Sequence, residues 1–178
     1  MLLLVDLDGV EVFPRNERIP DVGLVVRNRA APAFTRAEAL ARALLKGGTE
    51  EQKQQWLPQL AIGEPLCAVA VTEPNYGSDV AGVKLRATPT EGGWLLNGTK
   101  AYVTNGFISD LAVITAVSDP QASRNRRLSM YLVDLQAEGV KKKKLNKQVW
   151  IPSDLTRLQF GDVFVPGDHL LGDREQGL

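Results

Sequence analysis

The sequence predicts an α+β chain: a short N-terminal helical segment followed by an antiparallel β-barrel or sandwich. Three observations carry that reading. Two helix-start signatures precede residue 62. From Cys67 onward, short apolar and β-branched runs recur between Gly and Pro turns. Finally, 178 residues at 44% hydrophobic content can bury a core without disulfide staples.

Leu2 to Val5 reads as a short strand running into an Asp-Leu-Asp-Gly turn. Pro14, Pro20 and Pro32 then argue against a long helix. Thr35-Arg36-Ala37-Glu38 is a capping box, and the Ala- and Leu-rich run behind it stops at Gly47-Gly48. Thr49-Glu50-Glu51-Gln52 repeats the box and opens a second helix with Trp56, Leu57 and Leu60 on one side, ending by Gly63 and Pro65. Strands are expected over 67–72, 83–88, 111–117, 128–135 and 156–165. Asn97-Gly98, between Trp94-Leu95-Leu96 and Ala101-Tyr102-Val103-Thr104, is the strongest short hairpin signal.

Several function classes are excluded. Lys+Arg and Asp+Glu are 21 each, so no net charge draws the chain to nucleic acid or an anionic membrane surface. One cysteine, Cys67, and one histidine, His169, argue against an internal disulfide and a protein-built zinc or iron centre. Cys67 fits a small core residue and His169 a surface loop. The apolar run at the amino terminus meets Asp6 too soon for a signal segment, and no stretch reaches transmembrane length, so a cytoplasmic protein is expected. Lys141 to Lys144 suits a solvated edge strand, with attraction of a phosphorylated ligand as the alternative.

Two blocks could carry chemistry. In Ala68-Val69-Ala70-Val71-Thr72-Glu73-Pro74-Asn75-Tyr76-Gly77-Ser78-Asp79, an apolar strand ends in a Thr and turns at Glu-Pro. Pro74 removes a donor, Gly77 permits close backbone approach, and Ser78 and Asp79 can cap the next segment or bind a polar group. Alone, the block fits an ordinary turn as well as a ligand edge. The second block is Asn97-Gly98-Thr99-Lys100-Ala101-Tyr102-Val103-Thr104-Asn105-Gly106. Period-2 alternation places Tyr102 and Thr104 on one sheet face, an aromatic beside a hydroxyl.

Together the blocks resemble the V-T-E-P-x-x-G-S-D and N-G-x-K-x-x-I-T-N-G signatures of the acyl-CoA dehydrogenases. The flanks agree. Gly48-Thr49-Glu50-Glu51-Gln52-Lys53 with Leu57-Pro58 is similar to that family's segment leading from the helical into the middle domain. Ser153-Asp154-Leu155-Thr156, Phe160-Gly161-Asp162-Val163-Phe164-Val165-Pro166 and Leu170-Leu171-Gly172 with Gly177-Leu178 resemble its later stretches. The resemblance runs from about Leu44 to Leu178 and implies a partial helical region over 1–66 and a middle β-domain over 67–178.

The resemblance further implies FAD, an acyl-CoA substrate, and α,β-desaturation with hydride passing to flavin N5. An electron-transferring flavoprotein would take the electrons, and the family member would be a homo-oligomer. Val69, Ala70, Val71, Thr72, Gly77 and Ser78 would line the flavin, and Tyr102, Val103 and Thr104 would cover its other side, with Thr104 near N5. Ser78 would also touch the CoA side. The chain ends at Leu178, where the family's carboxy-terminal helical domain would begin, so the catalytic base is expected outside it and no catalytic residue is assigned. A non-catalytic flavin- or acyl-CoA-binding module or partner subunit is the alternative.

Departures from the pattern affect ring stacking and acyl specificity. Asn75-Tyr76 replaces a Gly-Ala pair, Tyr102 stands where Trp is frequent, and 146–152 lacks the Gly-x-Arg approach. A competing motif, Leu2-Leu3-Leu4-Val5-Asp6-Leu7-Asp8-Gly9-Val10, has the form of the first haloacid-dehalogenase motif. There Asp6 would be a phosphatase nucleophile and Asp8 an acid/base, with magnesium. The strand-rich remainder lacks the alternating βα pattern that such a fold requires.

Overall fold

The computed structural model describes residues 2–6, 9–13, 40–61, 65–124, 126–148 and 153–172. The order of elements is α+β, as expected. Strands β1 (Leu2–Asp6) and β2 (Gly9–Phe13) pair antiparallel as a separate two-stranded sheet. This pairing is not the parallel βα start of a phosphatase fold; Asp6 closes β1 and Asp8 lies outside the described residues.

Helix α1 is described over 40–47, and the Thr35–Glu38 box lies outside the described residues. It stops as expected, the Gly48 N–H bonding back to the Leu44 carbonyl at 2.7 Å. Helix α2 (Glu50–Ala61) opens on the capping box read from the sequence. The Gln52 N–H donates to Thr49 Oγ1 at 3.2 Å, and the Thr49 N–H donates to Gln52 Oε1 at 2.9 Å. The Gln52 side chain then donates through Nε2 to the carbonyls of Asp168 and, at 2.8 Å, Leu170. One residue thus caps the helix and staples it to the far end of the chain.

The remaining strands are β3 (Cys67–Ala70), β4 (Arg86–Thr90), β5 (Gly93–Thr104), β6 (Leu111–Val117), β7 (Leu128–Asp134), β8 (Val140–Lys144), β9 (Leu155–Pro166) and β10 (Leu170–Leu171). Among the described residues they form one sheet in the order β10-β7-β6-β4-β5-β9-β8, with β3 also on β6. The expected antiparallel barrel or sandwich is therefore corrected to a mixed sheet that does not close. β3 runs parallel to β6, Cys67 opposite Leu111 through Ala70 opposite Ile114. The start of that pair is pinned from both sides. Asp110 and Leu111 N–H groups donate to the Leu66 carbonyl, and the Asp110 carboxylate accepts the Leu66 N–H. β8, with Lys141 to Lys144, is an edge strand, as its charge suggested.

All seven residues of β6 are buried, because it separates two cores. Ala112, Ile114 and Ala116 face the sheet interior with Leu96, Tyr131, Leu158 and Phe160. Leu111 and Val113 face the helices, packing with Leu40, Leu44 and Leu60.

The Asn97-Gly98 hairpin is not there. β5 runs unbroken through it, and the β4–β5 turn falls at Glu91-Gly92, with Gly92 at φ +75°. The physical reason is a bulge: between Leu96 opposite Val163 and Gly98 opposite Phe160, Asn97 faces two residues of β9. Its side chain substitutes for the lost ladder bonds. Nδ2 donates to Asp162 Oδ1 at 2.8 Å and Oδ1 accepts the Asp162 N–H at 3.0 Å. Gly98, at φ +144°, lies so close to β4's approach that an added Cβ would meet Leu85 Cα at 2.8 Å. Gly98→Ala is accordingly expected to destabilise the chain by about 2 kcal/mol or more, read as a shift in urea midpoint. An unshifted midpoint would remove the close approach.

Candidate functional site

The two sequence blocks meet where β3 ends. The Ala101 N–H donates to the Thr72 carbonyl at 2.9 Å, laying the exit of β3 against the second half of β5. The chain then reverses over Glu73 to Tyr76. The Glu73 N–H donates to the Tyr76 carbonyl at 2.9 Å and the Tyr76 N–H returns to the Glu73 carbonyl at 3.2 Å. Pro74 and Asn75 form the exposed tip, where a missing donor costs nothing.

Beneath the turn lies a buried ion pair that sequence reasoning missed. Lys100, with 0% of its surface exposed, sits 3.0 Å from the carboxylate of Glu73, which is 5% exposed. The Lys100 ammonium also donates to the Val71 carbonyl at 2.9 Å. Glu73 accepts the Lys84 N–H at 2.7 Å and the Leu85 N–H at 2.8 Å. Burial pulls the Lys100 pKa below its ordinary value, and the Glu73 carboxylate opposes that pull. A signal was available: Lys100 shares the inward parity of Leu96, so alternation alone places it in the core.

The sites named from the sequence divide by exposure. Val69, Val71, Thr72 and Thr104 are half-buried, while Gly77, Ser78 and Tyr102 are exposed. Ala70 and Val103 turn their side chains into the sheet core, leaving only backbone groups for a ligand. Tyr102 and Thr104 do share the open side, yet a bulge puts them there. Ala101 and Tyr102 together oppose one residue of β9, and Tyr102 adopts φ +56° with 60% of its surface exposed. Beyond Thr104 the chain is held by Asp154, whose carbonyl accepts the Asn105 N–H at 3.1 Å and whose Oδ1 accepts the Phe107 N–H at 3.2 Å.

Two further features bear on what could bind. An added Cβ on Gly77 would meet nothing within 4 Å, and the residue has no positive φ. The fold itself asks nothing of this glycine, so open space stands against bare backbone. Next to Ser78, a groove runs between the turn and the β6–β7 connection, lined by Tyr76, Asp79, Lys84, Arg124 and Arg127. Arg124 pairs with Asp79 through both carboxylate oxygens, and Arg127 donates to the carbonyls of Ala81 and Val83 at 3.0 and 2.8 Å. Three cations against one carboxylate suit a phosphorylated ligand.

The donor set fits a flat heteroaromatic ring with a polar rim. The Thr72 N–H and hydroxyl have no partner among the described residues, Thr104 adds a second hydroxyl, and Tyr102 adds an exposed ring. No group of three or more metal-ligating side chains occurs among the described residues. His169, expected on the surface, is half-buried: its Nδ1 lies 3.0 Å from the Leu132 carbonyl and its ring meets Trp56 edge-on, which makes it part of the helix–sheet seam.

The fold is that of the middle domain of an oxidoreductase family. The family profile described as "Acyl-CoA dehydrogenase, middle domain" matches residues 68–163, and the chain belongs to the acyl-CoA dehydrogenase family of oxidoreductases. It is 37% identical over 153 residues to the mitochondrial long-chain specific acyl-CoA dehydrogenase of Rattus norvegicus, covering 84% of this chain and 36% of that protein. A glutaryl-coenzyme A dehydrogenase in its glutaryl-CoA complex superposes with a TM-score of 0.78 at 29% identity, over 82% of this chain and 37% of the other. A Mycobacterium smegmatis glutaryl-CoA dehydrogenase in complex with FADH2 superposes with a TM-score of 0.69 at 31% identity, over 78% of this chain and 34% of the other. The chain thus spans about a third of the length of the relatives it matches. No helix among the described residues is long and apolar enough to cross a membrane.

Cys67 opens β3 and reports on this region. Burial, reinforced by Asp110, pushes its thiol up to about 12. A thiol-alkylating reagent near pH 8 is therefore expected to label it only after unfolding. Fast stoichiometric labelling of the native chain would show that β3 is not sealed against β6.

Proposed function

We propose that this chain supplies the flavin- and acyl-CoA-contacting part of an FAD-dependent acyl-CoA dehydrogenase that desaturates an acyl-CoA thioester between Cα and Cβ. FAD held here would supply the acceptor for the substrate β-hydrogen, as hydride. The chain's own contribution is to bind and orient. Thr72 offers its N–H and hydroxyl to the pyrimidine edge, with Val69 and Val71 as apolar wall. Tyr102 would pack on the ring, and the Thr104 hydroxyl would hydrogen-bond near N5. Ser78 and the basic groove beside it receive the phosphorylated CoA end. The open space at Gly77 is the observation that carries the reading, since the protein's own packing leaves it unused.

The relatives support the ligand classes: one is a glutaryl-CoA complex and one an FADH2 complex. The profile match starts at residue 68, in keeping with a domain boundary between 66 and 67. We assign electron transfer to a flavoprotein partner, homo-oligomeric assembly, and no nucleic-acid or membrane role. Cytoplasmic placement is kept as our reading, although the Rattus norvegicus relative is mitochondrial. Cell fractionation decides between the two compartments.

A second reading, a binding module without its own turnover, is favoured by the state of the site's carboxylates. Glu73 is spent on Lys100 and two backbone N–H groups, and Asp79 on Arg124. Neither is placed to take an α-proton, and no carboxylate of the chain is assigned as the base. Both readings require that the chain bind a flavin or a CoA thioester. Purified chain is expected to retain FAD and to show the yellow flavin spectrum. Gly77→Ala is expected to weaken FAD about tenfold in a fluorescence titration while leaving the urea midpoint in place. Thr104→Val is expected to shift the flavin absorption. Colourless protein that binds neither FAD nor a CoA thioester would reject both readings.

A further inference from the structure

We propose that Lys100, held by Glu73, is a positioning residue that aims the Val71–Thr72 peptide at the cofactor. The inference rests on the flavin reading for its ligand, but its geometry belongs to the chain alone. Inside a regular sheet, the Val71 carbonyl would be capped by an N–H from the neighbouring strand. The β3–β6 ladder ends at Ala70 opposite Ile114, so the Val71 carbonyl lies beyond it, while β5 donates to the next carbonyl, from the Ala101 N–H to Thr72. The Lys100 ammonium takes the place of the missing donor, 2.9 Å from the Val71 oxygen and on the buried side.

A trans peptide is planar, with its C=O and N–H pointing in opposite directions. Fixing the Val71 oxygen inward therefore fixes the Thr72 N–H outward. That N–H has no acceptor among the described residues. A cation on the carbonyl end also polarises the amide, so its N–H becomes a stronger donor. The chemistry selected is an electron-rich acceptor on a flat ligand edge, such as a flavin pyrimidine carbonyl. Glu73 completes the device. Its two backbone contacts to Lys84 and Leu85 fix the carboxylate, and the carboxylate fixes the ammonium.

Lys100→Met removes the donor but leaves Glu73 buried beside a methyl, which can prevent folding. The double variant Glu73→Gln/Lys100→Met removes both charges. Either folded variant is expected to weaken FAD roughly tenfold and to shift the flavin absorption, with the apoprotein melt of the double variant close to wild type. The flavin-independent readout is the Thr72 backbone amide resonance of the apoprotein, expected to move upfield in the folded variant. In the wild-type chain, that same amide is expected to be among those shifted by added FAD.

If wild type takes up no FAD, the flavin reading fails on its own, and the Thr72 resonance still decides whether Lys100 orients the peptide. A folded variant with an unmoved Thr72 amide and unchanged FAD affinity would overturn the assignment. So would a wild-type FAD complex in which the Thr72 amide is silent, even were no variant to fold.

Discussion

The junction of β3 and β5 depends on the Glu73–Lys100 ion pair. A buried charge pair contributes little net stability compared with apolar packing, yet removing one partner costs about 3–5 kcal/mol, because the other is left uncompensated. Such a pair is best understood by what it orders. Glu73 reaches two backbone N–H groups ahead of β4, and Lys100 reaches the carbonyl of Val71. Three segments distant in sequence are thus tied at one point: the exit of β3, the approach to β4 and the middle of β5. Apolar contacts could hold these segments together, but they would not fix the direction of individual peptide planes.

The rest of the fold supports that point from behind. β6 is buried on both faces, and β3 lies against it in parallel register. The helices cover the outer face of this pair, and Gln52 ties them to the segment following β9. The edge that carries Thr72 is thereby backed by two cores, while its open side keeps Tyr102 and Thr104. The positive φ at Tyr102 and at Asn105 is local strain of the kind that persists where surrounding contacts over-determine the backbone. On one side those contacts are the Lys100 anchor, and on the other the Asp154 clamp on 105–107.

Much of this was legible in the sequence because it is local. The Thr49–Gln52 capping box, the glycine stop of α1, and the charged edge strand β8 follow from neighbours in the chain. What was misread follows from non-local partners. Asn97-Gly98 carries hairpin chemistry, but Asp162 of β9 satisfies the Asn97 side chain and makes the pair a bulge site within a long strand. The parallel β3–β6 pair depends on Asp110 and Leu66, 44 residues apart, and no periodicity encodes it. The two motif blocks were recognisable as a pair, whereas their connection through Glu73 and Lys100 requires knowing that both side chains point inward.

That last point bears on why the two motifs occur together. A Thr-Glu-Pro turn could present its threonine without help if β3 stayed in its ladder. It does not: the pairing with β6 ends at Ala70, and Val71 lies beyond it. Lys100 reaches the Val71 carbonyl from β5, while the bulge just after it turns Tyr102 onto the open face. The lysine and the aromatic of the second block thus act on opposite faces of one strand: the first holds the exit of β3 from the buried side, and the second leaves its ring exposed. The glutamate of the first block fixes that lysine, so each block supplies half of one buried contact.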